Sequence, residues 1–115
     1  MTSGILCKQG DIILVPFPFS DLSGTKQRPV LVLSNEEYNA SSSDVLTCGI
    51  TSNLTERKYA VFITQNELEE GRLQKTSLIK TDKLFTLEKT IIKKKFGKIN
   101  QKTFDEVKKK LLEII

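Results

Sequence analysis

The sequence predicts a mainly β domain, a small and strongly bent antiparallel sheet or partly open barrel, closed on one side by a C-terminal amphipathic α-helix. Two patterns predict it. Short runs rich in Ile, Val, Thr and Phe recur from residue 11 to residue 99 with turn-forming residues between them, and beyond residue 100 the apolar residues change to helical spacing. The length adds a bound: 115 residues form one domain, spanning 1–115, large enough to bury a core and too small to hold two.

The first strand candidate covers 11–19, where Pro16 and Pro18 make the second half an edge or a bent, solvent-side extension. A loop over 20–27 leads to a compact strand at 29–34, a second loop at 41–44, and strands at 45–51 and 59–64. The segment QNELEEG at 65–71 combines helix formers with a closing glycine and predicts one short helical turn. Two further extended stretches, 77–87 and 90–99, are separated by a turn at Leu87, Glu88 and Lys89. In the tail, Phe104, Val107, Leu111, Ile114 and Ile115 mark one apolar stripe, with Asn100 as N-cap and Thr103 as the alternative.

An excess of 18 Lys+Arg over 14 Asp+Glu gives a net charge of +4, compatible with a polyanionic partner but below that of a DNA-coating protein. Cys7 and Cys48 have no CxxC spacing, and the chain contains no histidine, so a structural zinc site has no ligand set. No apolar run approaches the roughly 20 residues of a membrane-spanning helix. Together these features predict a reduced, cytoplasmic protein without a metal or other cofactor.

The missing histidine also removes the commonest general acid and base, along with Ser-His-Asp and Cys-His triads. No Walker-type or GxGxxG phosphate loop is present. Any catalysis rests on Arg, Lys, Asp, Glu, Ser, Thr or Tyr.

Three stretches carry a resemblance when taken together: Gly10-Asp11-Ile12, the run Gln27-Arg28-Pro29-Val30-Leu31-Val32-Leu33-Ser34, and Ile50-Thr51-Ser52. They resemble the opening half of the MazF/PemK (Kid) family of toxin endoribonucleases, and Leu78-Ile79-Lys80-Thr81-Asp82-Lys83 and the terminal helix follow in the expected order. The resemblance implies an SH3-like barrel of the CcdB/Kid/MazF type and a homodimer. It also implies sequence-specific, metal-independent cleavage of single-stranded RNA by the substrate's own 2′-hydroxyl. The products would be a 2′,3′-cyclic phosphate and a 5′-hydroxyl, and a cognate acidic antitoxin would be the inhibitor.

Carried onto this chain, the resemblance places the catalytic arginine at Arg28 and the strand-end threonine at Thr51. Physical chemistry suits Arg28 to that role, because a planar guanidinium with forked donors stabilises charge building on a phosphate better than an ammonium does. Without the motif, Arg28 is an ordinary surface arginine and Thr51 a strand-end residue capping its own turn. Alternation along a strand would put Lys80 and Asp82 on the same side. Asp82 would then accept the 2′-hydroxyl proton and Lys80 assist the leaving oxygen or bind phosphate; the plain alternative is a surface salt bridge. One branch of the family has Arg at the position of Lys80, and many members have Gln at that of Lys83.

The remaining RNA contacts are expected from Phe19, Ser20, Thr25, Lys26 and Gln27 in the first long loop, and from Ser52, Asn53 and Lys83. Hydroxyls and ammonium groups there suit phosphate and sugar, while Phe17 or Phe19 suits base stacking unless it belongs to the core. Two other functions fit the same fold: a gyrase-binding toxin of the CcdB type, whose C-terminal Trp-Gly-Ile this chain lacks, and an SH3-like RNA-binding module that does not cut.

Overall fold

The computed structural model describes residues 6–16 and 26–115. Seven strands, β1 (Asp11–Pro16), β2 (Gln27–Val32), β3 (Asp44–Thr51), β4 (Ala60–Ile63), β5 (Leu68–Gly71), β6 (Ser77–Glu88) and β7 (Lys94–Ile99), form one sheet in the order β4-β6-β3-β2-β1-β7-β5. Every neighbouring pair is antiparallel. The sheet curls into a half-barrel, and two helices, α1 (Glu36–Ser41) and α2 (Gln101–Leu112), complete the fold.

Apolar runs such as DIILV and PVLVL lack the usual alternation because both faces of the central strands are buried. Ile12 and Leu31 belong to a cluster with Cys48, Ile50, Val61 and Ile79, which α2 covers through Phe104 and Val107. Their neighbours Ile13, Val15, Val30 and Val32 point the other way, into a second cluster with Cys7, Val45, Leu87 and Ile92. Truncating Phe104, 4% exposed, to alanine would cost about 3–5 kcal/mol, as large-to-small core changes of this kind do.

The start of α2 is set by Asn100, whose side-chain oxygen accepts from the Thr103 N–H at 2.8 Å; Thr103 itself is buried. The helix ends at Leu112, so helical spacing no longer applies beyond it. Ile114 is only partly covered and Ile115 is 82% exposed, which removes Ile115 from the expected stripe.

Several other boundaries depart from expectation. β2 begins two residues early, at Gln27, so Arg28 lies within the strand. β1 ends at Pro16, and the rest of the predicted 11–19 run lies outside the described residues, as does nearly all of the 20–27 loop. Helix α1 was not anticipated. Asn35 caps it by accepting from the Tyr38 N–H at 2.9 Å, and the buried Asn39 anchors it by donating to the Ser34 carbonyl at 2.9 Å. A six-residue helix held by a polar side chain leaves no apolar period to read.

The predicted turn at 65–71 is a 3₁₀ turn only over Gln65–Glu67; Leu68–Gly71 continues as strand β5 against β7. Gly71 is required at that edge, because its φ is +86° and an added Cβ would lie 2.5 Å from the Phe96 carbonyl oxygen. A second 3₁₀ turn at Lys89–Ile91 delays β7 to Lys94.

The Gly10-Asp11 pair receives a structural account. Gly10 turns the chain into β1 at φ +92°, and the buried Asp11 carboxylate accepts from the Lys8 N–H at 2.8 Å while its other oxygen lies 3.4 Å from Lys95 Nζ.

Candidate functional site

Cross-strand partners in an antiparallel sheet share a face. Arg28 is paired with Val15, Val30 with Gly49, and Gly49 with Lys80, so Arg28, Gly49 and Lys80 lie on the face opposite α2. Thr51, two residues beyond Gly49 on β3, shares that face. Two adjoining depressions open there. One, of about 450 Å³, is bounded by Thr51, Asn53, Thr55, Glu56, Lys80 and Lys83. The other, of about 290 Å³, runs past Thr51 to Arg28, Val30 and Phe85. Gly49, Ile50 and Thr51 line both, which makes a single groove with Thr51 at its centre.

Thr51 combines two roles that looked like alternatives in the sequence. Its Oγ1 accepts from the Asn53 N–H at 3.0 Å, closing a turn at the end of β3. That bond uses the hydroxyl's oxygen and leaves its proton to donate to an acceptor in the groove. Asn53 then accepts from the Thr55 N–H at 3.1 Å and the Thr55 hydroxyl at 2.8 Å, so the wall beside Thr51 is built by consecutive local bonds.

The alternation expected for Lys80 and Asp82 meets an irregularity in β6. Gly49 is opposite Lys80 while the preceding Cys48 is opposite Leu84, so β6 carries extra residues at this point. Such a bulge resets which side chains face which way. Lys83 takes the place beside Lys80 on the groove wall, and Asp82 is not among the lining residues. Its carboxylate instead lies 3.7 Å from Lys80 Nζ.

Lys80 is almost fully buried. Glu56, from the wall opposite, brings its carboxylate to 3.5 Å from the same nitrogen while remaining largely exposed itself.

Among the other expected contacts, Asn53 lines the groove, Ser52 is exposed next to it, and Lys26 and Gln27 are exposed immediately before Arg28. Phe19, Ser20 and Thr25 lie outside the described residues. Sequence reasoning missed Gly49, Thr55, Glu56 and Phe85, which reach the groove through strand register and the path of the 52–59 segment. Gly49, two residues before Thr51 and without a side chain to fill the floor, was the readable hint.

Cys48 borders the groove in sequence but faces the α2 cluster, and its thiol is pushed up to about 12 by burial, with the Asp82 charge adding to the effect. A thiol held so firmly protonated is no nucleophile. Among the described residues, no cluster of three or more His, Cys, Asp or Glu could hold a metal ion, and no helix is long and apolar enough to cross a membrane.

Comparison with known proteins adds sequence and fold relationships. A family model described as the PemK-like, MazF-like toxin of type II toxin-antitoxin systems matches residues 8–115. The protein named endoribonuclease MazF from Staphylococcus saprophyticus subsp. saprophyticus is 28% identical over 105 residues, covering 89% of this chain and 85% of that protein. The structure of MazF (form I) from Deinococcus radiodurans superposes with a TM-score of 0.74 at 20% identity, over 96% of each chain. The Mycobacterium tuberculosis toxin MazF-mt6 superposes with a TM-score of 0.71 at 17% identity, over 90% of this chain and 93% of that one. A MazE–MazF complex (form II) from Deinococcus radiodurans gives 0.74 at 19% identity, over 96% and 95%. At these identities the structural matches establish the shared fold.

Proposed function

The chain belongs to the PemK-like, MazF-like toxin family of type II toxin-antitoxin systems, and from that premise we propose that it is an endoribonuclease toxin cleaving single-stranded RNA without a metal ion. The observation that carries this reading is the groove in which Thr51 lies between Arg28 on one side and Lys80 and Lys83 on the other. A cationic groove with a hydroxyl at its centre is suited to an RNA phosphate.

In this mechanism the RNA backbone crosses the groove with the scissile phosphate between Arg28 and Thr51. The 2′-hydroxyl oxygen attacks phosphorus, the bond to the 5′-oxygen breaks, and charge accumulates on the non-bridging oxygens. Arg28 offers forked donors to those oxygens and Thr51 adds its hydroxyl proton. The 2′-hydroxyl proton passes to a carboxylate. Glu56, which lines the groove, and Asp82, which flanks it, are the two that Lys80 holds there. The 5′-oxygen leaves with the electrons of the broken bond and takes its proton from solvent water, to which the carboxylic acid then returns the proton it accepted, and the upstream fragment keeps the cyclic phosphate.

The same reading makes the protein a cytoplasmic homodimer held in check by a cognate antitoxin. A small chain gains apolar burial by pairing. A mycobacterial endoribonuclease of the same fold has been solved with its cognate antitoxin, and a cationic groove would also accept a disordered acidic segment.

The deciding experiment incubates the purified full chain with single-stranded RNA in EDTA and identifies the product ends. Discrete cleavage with cyclic phosphate and 5′-hydroxyl termini is expected. Intact RNA, or cleavage that appears only when magnesium is added, would overturn the reading.

A further inference from the structure

Lys80 lines the groove, yet its ammonium is already engaged. Nζ donates to the Glu56 carbonyl at 3.0 Å and to the Lys58 carbonyl at 3.4 Å, with the Glu56 and Asp82 carboxylates at 3.5 and 3.7 Å. An ammonium has three donors, and these four oxygens surround them.

The next residue, Thr81, is fully buried and grips the same segment. Its backbone N–H and its hydroxyl both donate to the Tyr59 carbonyl, at 3.2 and 2.5 Å. Two adjacent residues of β6 thus hold the carbonyls of Glu56, Lys58 and Tyr59. Among the described residues, Tyr59 is the one non-glycine with a positive φ, +56°. A bulky side chain adopts that conformation at a cost, so the surrounding contacts must hold it there.

The other bonds within 52–59 are local. The Asn53 N–H reaches Thr51, Thr55 reaches Asn53, and Arg57 Nε donates to the Leu54 carbonyl. These give the segment its shape, whereas Lys80 and Thr81 attach it to the sheet. Asn53, Thr55 and Glu56 on that segment make up one wall of the groove.

We propose that Lys80 is a positioning residue: with Thr81 it fastens the 52–59 segment to β6 and so fixes the wall that reads the RNA, and it does not supply a proton to the leaving oxygen. What the wall reads rests on the RNA-cleavage function proposed above; the fastening does not. On that wall the Asn53 amide and the Thr55 hydroxyl are groups that can hydrogen-bond base edges. A wall of this kind selects sequence when it is held still and loses selectivity when it is loose.

The test compares the wild-type chain with Lys80→Met, Thr81→Val and the double variant. Thr81→Val is the informative change, since it keeps the side-chain shape and removes a hydroxyl that does not line the groove. Backbone hydrogen exchange over 52–60, measured without RNA, should speed up in both single variants. In Thr81→Val, KM should rise about tenfold, the factor associated with losing a hydrogen bond of this kind, while kcat stays within about threefold. Both variants should also cut at more sites than the wild type and combine less than additively because they hold one segment, and Thr81→Val should keep the wild-type pH profile.

Unchanged exchange in Thr81→Val would overturn the fastening, and if Lys80→Met fails to fold, Thr81→Val alone decides. A fall in kcat with loss of the alkaline limb in Lys80→Met, beside a wild-type-like Thr81→Val, would make Lys80 a proton donor and overturn the proposal. A wild-type chain that leaves RNA intact would defeat the cleavage reading, and the exchange data would still decide whether Lys80 and Thr81 hold the segment.

Discussion

Arg28 stands directly across from Val15 in the β1–β2 ladder, so an exposed arginine shares a sheet face with a fully buried valine. On that face Val15, Val30 and Val32 pack into the core, and alongside them Arg28, Val30 and Thr51 line one depression.

Arg28→Ala is therefore expected to reduce single-turnover cleavage by about 10²–10³, the usual consequence of losing one donor to transition-state charge. Arg28→Lys should be impaired less, since it keeps a charge and loses the fork. RNA affinity should change little in comparison. A few-fold effect on the rate in Arg28→Ala would return the residue to an ordinary surface role.

Thr51→Val separates the two functions that the hydroxyl combines. Loss of the bond from the Asn53 N–H should loosen the turn and cost about 1 kcal/mol of stability, as ordinary hydrogen bonds do. Loss of the donated proton should slow cleavage further than that loosening explains. Thr51→Ser, which restores both bonds, should recover most of the rate, and a Thr51→Ser variant as slow as Thr51→Val would assign the defect to packing of the methyl group.

The strands of this site were legible in the sequence, from the run Gln27 to Ser34 and the Ile50-Thr51 pair, and the family resemblance of those runs singled out Arg28 and Thr51 within them; the residues alone read equally as a surface arginine and a strand-end threonine. The β6 bulge was not legible. Nothing in Lys80-Thr81-Asp82-Lys83 announces that Lys83 will replace Asp82 on the groove wall, since the signal lies in the pairing with Cys48 and Gly49 on another strand. The burial of Lys80 was hidden for a related reason, because two of the four oxygens around it are backbone carbonyls from residues 22 and 24 positions away. Helix α1 and strand β5 escaped because a single short element held by polar or edge contacts has no period.

The two cysteines should resist chemistry in the native protein. Burial raises the thiols of both Cys7 and Cys48, the latter to about 12. Iodoacetamide at pH 8 should label neither until denaturant is added. A folded-state pKa above the ordinary value of 9.0 means that Cys48 contributes stability below pH 9 and loses it as the pH rises toward 12. Lys95, raised by its hydrogen bond to Glu70, acts in the same direction above pH 10.5. Denaturant midpoints should therefore fall between pH 8 and pH 11, and a midpoint that stays level would contradict the buried-thiol assignment.

An acidic peptide with the composition of a disordered antitoxin segment should compete with RNA for the groove, and the competition should weaken as salt rises, because exposed charges are screened over about 10 Å at 0.1 M. Lys83→Glu, at the exposed rim beside Lys80, should weaken RNA and peptide together. A peptide that inhibits cleavage while RNA stays bound would place the inhibitor elsewhere.

The nature of the nucleophile gives the sharpest test of mechanism. If the attacking oxygen belongs to the substrate, RNA with a single 2′-methoxy group at the cut position should bind and remain whole at that bond, and a DNA strand should do the same. Neither substitution removes the phosphate that Arg28 and Thr51 address, so affinity should be retained in large part. The chain has no histidine, and in the proposed mechanism the proton acceptor is a carboxylate, Glu56 or Asp82. With no imidazole in the chain, the rate should show no inflection near 6.5 of the kind a histidine base produces. Glu56→Gln and Asp82→Asn decide between the two, since the acceptor's amide variant should lose rate at every pH while the other keeps its profile. Cleavage of the 2′-methoxy RNA at the modified position would mean that water, and not the sugar, is the nucleophile, and a groove built around Arg28 and Thr51 would then need a water-activating group that this mechanism does not contain.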